Sequence, residues 1–470
     1  MKCISFILFT LLFSFSLAAQ IPQLWGMTNF GGGNNSHGAI IKINGNGTGY
    51  ATEYSFTGLN GAGLYPRGSL LYSDSLLYGM TYSGGQYGIG MIFGFDPITG
   101  NETTLFNFND TLGENPQGNL ILADDGKLYG MSTSGGDYDQ GVIFSFDIAS
   151  NTYSDEYNFD TLNGEFPLGS LVQANDGKLY GMTVQGGIYD DGIIFSFDPV
   201  NNVFLKLFEF NITLGKYPVG SLCQATNGKL YGMTSHGGSN DLGVLFSFDP
   251  VTNIFTKYHD FIHSTGKFPL GSLIQASNGK LYGTTEYGGT TDDGVIFSFN
   301  PFDSTYADIH NCNIYTGTNP IGSLVQASDG ELYGMTYVGG ANNDGTVFQF
   351  NTSGNIYTKI FDFTSNTGLA PWGDLVELNP AVNGIENLIE TNLFTLSPNP
   401  SNGEFILNGN FKEKSVIEIF DMWGQKVFEK EIPNGEQTLQ INLNLNEAIY
   451  SYRITNSETV LKSGEFIISK

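Results

Sequence analysis

The chain has 470 residues, with 46 acidic and 19 basic side chains and a formal charge of −27. That balance argues against DNA, RNA or an anionic membrane as the main partner, because holding a polyanion takes a basic patch. With 63 glycines, 14% aromatics and 14% charged residues, the composition fits many short strands and tight turns and excludes a helical bundle or a disordered chain. Residues 1–19 (MKCISFILFTLLFSFSLAA) combine Lys2, an apolar run from Ile4 to Leu17 and the small pair Ala18-Ala19. This is the pattern of a Sec-type signal peptide, with the mature chain starting near Gln20. The apolar run is short for a spanning helix, which needs about 20 residues. No later stretch is apolar enough to span a membrane as a helix, so no transmembrane segment is expected in the mature chain.

From residue 20 to 379 an internal repeat dominates. Leu-Tyr-Gly-Met-Thr or a close variant begins at Leu77, Leu128, Leu179, Leu230, Leu281 and Leu332, each 51 residues after the last, and Leu-Trp-Gly-Met-Thr begins at Leu24. Each copy holds four predicted strands. Strand a reads Gly-Ser-Leu-Val-Gln-Ala (169–174), strand b Lys-Leu-Tyr-Gly-Met-Thr (178–183), and strand c Val-Ile-Phe-Ser-Phe (142–146). Strand d is the aromatic segment typified by 203–210. Asn-Gly or Asp-Gly between a and b predicts a tight hairpin. Four short strands in 51 residues match one blade of a β-propeller, whose sheets bury both faces only when stacked around a ring.

The ends of the repeat predict how the ring closes. Strands b, c and d occur seven times from Leu24 onward, whereas the first strand a is at 68–70 and the last, Gly373-Asp374-Leu375-Val376-Glu377, has no strand b after it. The N-terminus therefore supplies three strands of one blade and the C-terminus the fourth. This predicts an all-β, seven-bladed propeller with 3+1 closure. Trp25 and Trp372 fall in that blade and are expected to pack or cap the seam. Cys223 and Cys312 map to different blades, on an inner and an outer strand, which argues against a disulfide.

The sequence Gly-Gly, strand, Asp-Pro-x-Thr-Asn and aromatic resembles kelch-type propeller repeats. Leu-Tyr-Gly-x-Thr-x-x-Gly-Gly is more similar still to the tandem GloVer repeats of bacterial secreted proteins. The resemblance implies a propeller and no particular activity.

Residues 380–392 read as a linker, and 393–470 as a small C-terminal β-sandwich with alternating strands at 416–420, 440–443 and 449–454. Pro398-Asn399-Pro400, Asn402-Gly403, the turn and strand 421–427, Ile449-Tyr450, Arg453-Ile454 and Gly464–Lys470 resemble the type A C-terminal sorting domain of the Bacteroidota type IX secretion system. Ala448 stands where that family usually has Gly. The resemblance implies transit through the periplasm, a partnership with the type IX machinery, and release or attachment at the outer cell surface.

Catalytic motifs are missing from the sequence: no phosphate loop, no His-Glu-x-x-His, no zinc-spaced cysteines and no Gly-x-Ser-x-Gly elbow. His259 and His263 lie too far apart on one strand to share a metal. No metal site or resident cofactor is expected, with one reservation: the acidic turns 190–192 and 292–294 leave Ca²⁺ open. The two positions between Thr and Gly-Gly vary most between copies, and they fall where b–c and d–a loops share one face. Tyr82, His236, Glu286 and Tyr287 are the candidate ligand-binding residues, of a kind suited to sugar recognition. The expected function is a secreted or cell-surface propeller that binds an extracellular glycan or protein. The alternatives are a propeller-based hydrolase or lyase, in which Glu286 with Asp190 or Asp292 would supply acid and base, or a passive surface scaffold.

Overall fold

The computed structural model describes residues 21–33 and 37–378, and beyond them segments 395–397, 404–408, 414–420, 425–433, 438–443, 448–455 and 460–468. The expected signal peptide and linker lie outside the described residues. The chain divides into two compact units, Met1–Asn379 and Pro380–Lys470.

The described residues of the first unit are all-β apart from one 3₁₀ turn at Leu59–Gly61. Between residues 21 and 378 the described chain forms seven four-stranded antiparallel sheets, numbered I to VII here in chain order. Sheet III is typical, with Ile121–Leu122, Leu128–Ser132, Val142–Asp147 and Thr152–Asn158 bonded in that order. Its second strand is buried at every position and its third at all but the last, because the neighbouring sheets cover both faces. The third and fourth strands slip register at the same place in all seven sheets, as between Ile143 and Phe144. A repeated bulge of this kind steepens the twist at each outer edge.

Sheet I carries the predicted seam. Its order is Ala51–Ser55, Ala39–Asn44, Gln23–Thr28 and Val376–Glu377, with Leu24 opposite Glu377 and Trp25 opposite Val376. Trp25 packs as expected: it is buried, its ring lies 6.1 Å from Phe95 of sheet II, and its indole N–H donates to Gln23. Trp372 sits elsewhere, in the mouth of the central channel.

Three circuits link consecutive sheets. At the outside, Phe106 stacks on Tyr153, Tyr157 on Phe204, Phe208 on Phe255, His259 on Tyr306 and His310 on Tyr357, with centroids 3.8–4.2 Å apart. Phe361 of sheet VII then stacks on Tyr50 of sheet I at 4.1 Å. The remaining junction, I to II, uses a hydrogen bond from Tyr54 to Glu102. Around the axis, the N–H groups of Ser69, Asn119, Ser170, Ser221, Ser272, Ser323 and Asp374 each donate to the side chain of the next residue in that series. The last returns to Ser69, and the distances are 2.5–2.9 Å. The third circuit is the glycine preceding each of these residues. A Cβ on Gly220 would lie 2.4 Å from the carbonyl oxygen of Gly271, and the same approach repeats around to Gly373 against Gly68.

The inner circuit also corrects the predicted length of strand a. The expected six residues reduce to two in six sheets, for example Val172–Gln173, and to three in sheet II, Leu71–Ser73. The Gly-Ser end of the segment directs its N–H groups around the axis instead of into its own sheet.

The second unit pairs a three-stranded sheet with a four-stranded one. They share a core that includes Phe405, Leu407, Ile417, Ile419, Ile441, Tyr450, Ile454 and Ile468, as a small sandwich requires. Val427, Ile449-Tyr450, Arg453-Ile454 and 464–468 lie on its strands. The other resemblance-bearing turns, 398–403 and 421–424, lie outside the described residues. Among the described residues no helix is long and apolar enough to cross a membrane.

Candidate functional site

The face that carries the b–c and d–a loops is built by one device used in every sheet. The residue before the proline of each Pro-x-Gly-Ser segment is left-handed: Tyr65, Asn115, Phe166, Tyr217, Phe268, Asn319 and Ala370, with φ between 51° and 57°. Bulky residues rarely adopt this conformation, and here two hydrogen bonds hold it. The N–H of Tyr217 donates to Asp191 in the loop of the preceding sheet, and its carbonyl accepts the N–H of Ser235. A further bridge joins the flanking residues, as Lys216 to His236 and Lys267 to Tyr287. Each d–a loop is thereby fastened to the end of strand b, and the variable positions are brought to the same face, as the sequence predicts.

After each proline, the x residue points to the axis and rims a narrow shaft of about 80 Å³. Leu168, Val219, Leu270 and Ile321 rim four consecutive sheets, and Trp372, Arg67 and Gln117 rim the other three. The mouth is therefore aliphatic on one side and polar on the other. Arg67 is tightly placed. Its guanidinium lies 3.8 Å from the centroid of the Tyr82 ring and 5.3 Å from that of Trp372. Its Nη1 donates to Gln117 Oε1 at 3.0 Å, and Gln117 Nε2 donates to Thr133 at 3.3 Å. Tyr337 meets Trp372 edge-on at 5.7 Å. One layer below, Asp374 and Asn119 replace the serine of the other copies, and burial raises the Asp374 carboxyl above its usual range.

Of the four predicted site residues, Tyr82 belongs to this mouth and the other three do not. His236 and the pair Glu286-Tyr287 form a separate aromatic run on sheets V and VI. His236 lies 4.8 Å from Phe268 and 5.8 Å from Tyr217, and Tyr287 lies 6.4 Å from Phe268. Burial lowers the His236 pKa and raises that of Glu286, which is hydrogen-bonded to Tyr287. Lys216 and Lys267 lie beside this run, but each is already neutralised, by Asp241 at 3.2 Å and Asp292 at 3.0 Å. Sequence reasoning missed Arg67, Gln117, Tyr337 and Trp372. The signal was present: three of the seven Pro-x-Gly positions depart from an otherwise aliphatic rule.

Other candidates have local roles. Asp190, Asp241 and Asp292 are left-handed, and each accepts the N–H of the first glycine of its own Gly-Gly pair. No group of three or more metal-ligating side chains is assembled among the described residues. His259 and His310 occupy the outer stacking position that is Phe or Tyr in other sheets. Cys223 and Cys312 are free thiols, half-buried and buried.

No curated protein matches the sequence. Two crystal structures described as 6-phosphogluconolactonases share the fold. That from Bacteroides uniformis is 15% identical, with a TM-score of 0.53, covering 76% of this chain and all of the other. That from Bacteroides fragilis is 14% identical, with a TM-score of 0.55, covering 77% and 99%. At this identity the likeness concerns the fold alone. Residues 395–469 match the secretion system C-terminal sorting domain, which places the protein outside the cell or on its outer surface and implies an interaction with the type IX machinery. Residues 14–183 and 167–393 match the Gloeobacter/Verrucomicrobia repeat, and the chain belongs to that repeat family.

Proposed function

We propose that this protein is an exported recognition module whose propeller binds an extracellular glycan across the face that carries the b–c and d–a loops. The observation that carries this reading is the shaft mouth. Trp372, Tyr82 and Tyr337 gather around Arg67 at the axis, where the fold elsewhere uses Leu, Val or Ile. Aromatic faces with fixed polar edges are the means by which proteins hold sugar rings. A shaft of about 80 Å³ takes a few waters or one small planar group, against about 300 Å³ or more for a pocket that engulfs a ligand. A glycan would therefore lie across the mouth and send at most one substituent inward. Such an open platform favours binding over cleavage, since hydrolysis wants two carboxyl groups facing each other across one bond. The test is retention of the full-length protein on a panel of immobilised polysaccharides. Saturable retention by one class, reduced by Trp372→Ala, supports the reading; absence of retention across the panel overturns it.

A further inference from the structure

We propose that the ligand is an acidic glycan, bound through a single sugar carboxylate or sulfate at Arg67 while the sugar ring rests on Trp372. The inference rests on the glycan reading above. Arg67 is the only arginine in the first 452 residues of a chain with charge −27. Among the described residues it has no acidic partner, and its Nε is covered and unpaired. Lys216 and Lys267, on the same face, are each paired with an aspartate from the neighbouring b–c loop. A cation kept half-buried without an acidic partner is costly unless something else completes it. Tyr82 and Trp372 flank the guanidinium, and Gln117 takes one of its N–H groups. Remaining donors then serve the oxygens of a carboxylate or sulfate, for which the forked guanidinium is better suited than lysine.

The surroundings also fix how many charges the ligand brings. Among the described residues Arg67 is the one lysine or arginine on this face without an acidic partner, and the net charge of the protein repels a dense polyanion. A glycan with sparse acidic substituents fits; a polyuronate with one charge on every sugar does not. The aliphatic half of the rim, Leu168 to Ile321, leaves no second site for an anion.

The experiment measures binding of full-length protein to glucuronoxylan, unsubstituted xylan and a sparsely sulfated xylan, by calorimetry and tryptophan fluorescence. Of the three tryptophans, Trp25 is buried and Trp423 belongs to the second unit, so a ligand at the mouth is expected to act on Trp372, and Trp372→Phe should remove the fluorescence change. Glucuronoxylan or the sulfated xylan should bind at least tenfold more tightly than xylan, and which of the two binds identifies the anion. Arg67→Leu places the residue of sheets IV and VI at this position, which favours an intact fold. It should weaken binding of the charged glycan about ten- to hundredfold, the worth of a charge-assisted hydrogen bond. Its effect on neutral xylan should be smaller than its effect on the charged glycan. Gln117→Leu keeps the charge but frees the guanidinium, and should cost a smaller factor. If xylan binds as tightly as the charged glycans, or Arg67→Leu binds like wild type, the anion inference fails while the glycan reading stands. Binding of no glycan at all overturns both.

Discussion

Gly220→Ala tests the inner glycine circuit. Gly220 does not need a left-handed backbone, so alanine is conformationally allowed. By itself the substitution should stabilise by about 0.4–1 kcal/mol, because it narrows the unfolded ensemble. The packing opposes this. The new Cβ would meet Gly271 O at 2.4 Å, Gly271 C at 2.8 Å and Leu270 O at 3.1 Å. Carbon normally approaches a carbonyl oxygen to about 3.3 Å, so the two sheets must separate by roughly 0.9 Å at that point. The atoms are backbone, and Gly271 is itself pressed against Gly322, so the displacement cannot be absorbed by turning a side chain. Overpacking costs about 1–3 kcal/mol, which leaves a net loss of about 1–2 kcal/mol. Gly94→Ala is the control, because its Cβ meets nothing closer than 3.6 Å. It should be neutral or slightly stabilising. Thermal unfolding of the full-length variants, followed by near-UV circular dichroism, should show a fall of about 2–4 °C for Gly220→Ala and none for Gly94→Ala. An unchanged or raised midpoint for Gly220→Ala would refute the argument that the sheets are in backbone contact around the axis.

Further outcomes follow from the same structure. Burial holds His259 and His310 below the ordinary histidine pKa, and both leave Nε2 without a partner. The unfolded chain therefore takes protons first as pH falls below about 6.5, and native stability should decline from there. His259→Phe with His310→Phe, the residue found at Phe106 and Phe208, should flatten that decline in urea titrations at pH 7 and 5.5. Burial raises the Asp374 carboxyl, so its ionisation opposes folding as pH rises. Asp374→Asn should raise the melting temperature at pH 7, and the gain should vanish near pH 3.5. A double-mutant cycle on Tyr50 and Phe361 should give a coupling of about 0.5–1.5 kcal/mol, and no coupling would deny that this stack helps to close the ring. Removing residues 393–470 should leave the chain in the periplasm, as cell fractionation would show.

The sequence disclosed the architecture because the repeat is nearly literal. Once strand a at 373–377 lacks a strand b after it, Leu24 is the partner left over, and the structure pairs them. The shared loop face was equally legible, since it follows from the order of strands. The centre of the site was not. Trp372, Arg67 and Gln117 are neighbours only after the ring closes, and along the chain Trp372 is about 300 residues from Arg67. Variability between Thr and Gly-Gly picks out Tyr82, which lies beside Arg67, and equally His236, Glu286 and Tyr287, which lie on sheets V and VI away from the mouth. The histidines of the outer strands are too far apart along the chain to share a metal. Their position in the repeat, where others carry Phe or Tyr, identifies them as stacking rings.

The seam in sheet I governs when the molecule can be finished. Leu24 waits for Glu377, about 350 residues later. Loop-closure entropy grows only with the logarithm of length, so joining these strands costs about 1.7 kcal/mol more than closing one 51-residue unit. The delay is thus cheap in free energy but absolute in time. Until the last inner strand is available, sheet I lacks its axial edge and the hydrogen-bonded circuit stops at Ser323. The sorting domain, matched from residue 395, follows shortly after that strand, which ends at Glu377. A chain cut short anywhere before it would be both unsealed and unaddressed, so export by this route selects for rings that were completed. A circular permutant opened at the 226–229 hairpin would separate those two events.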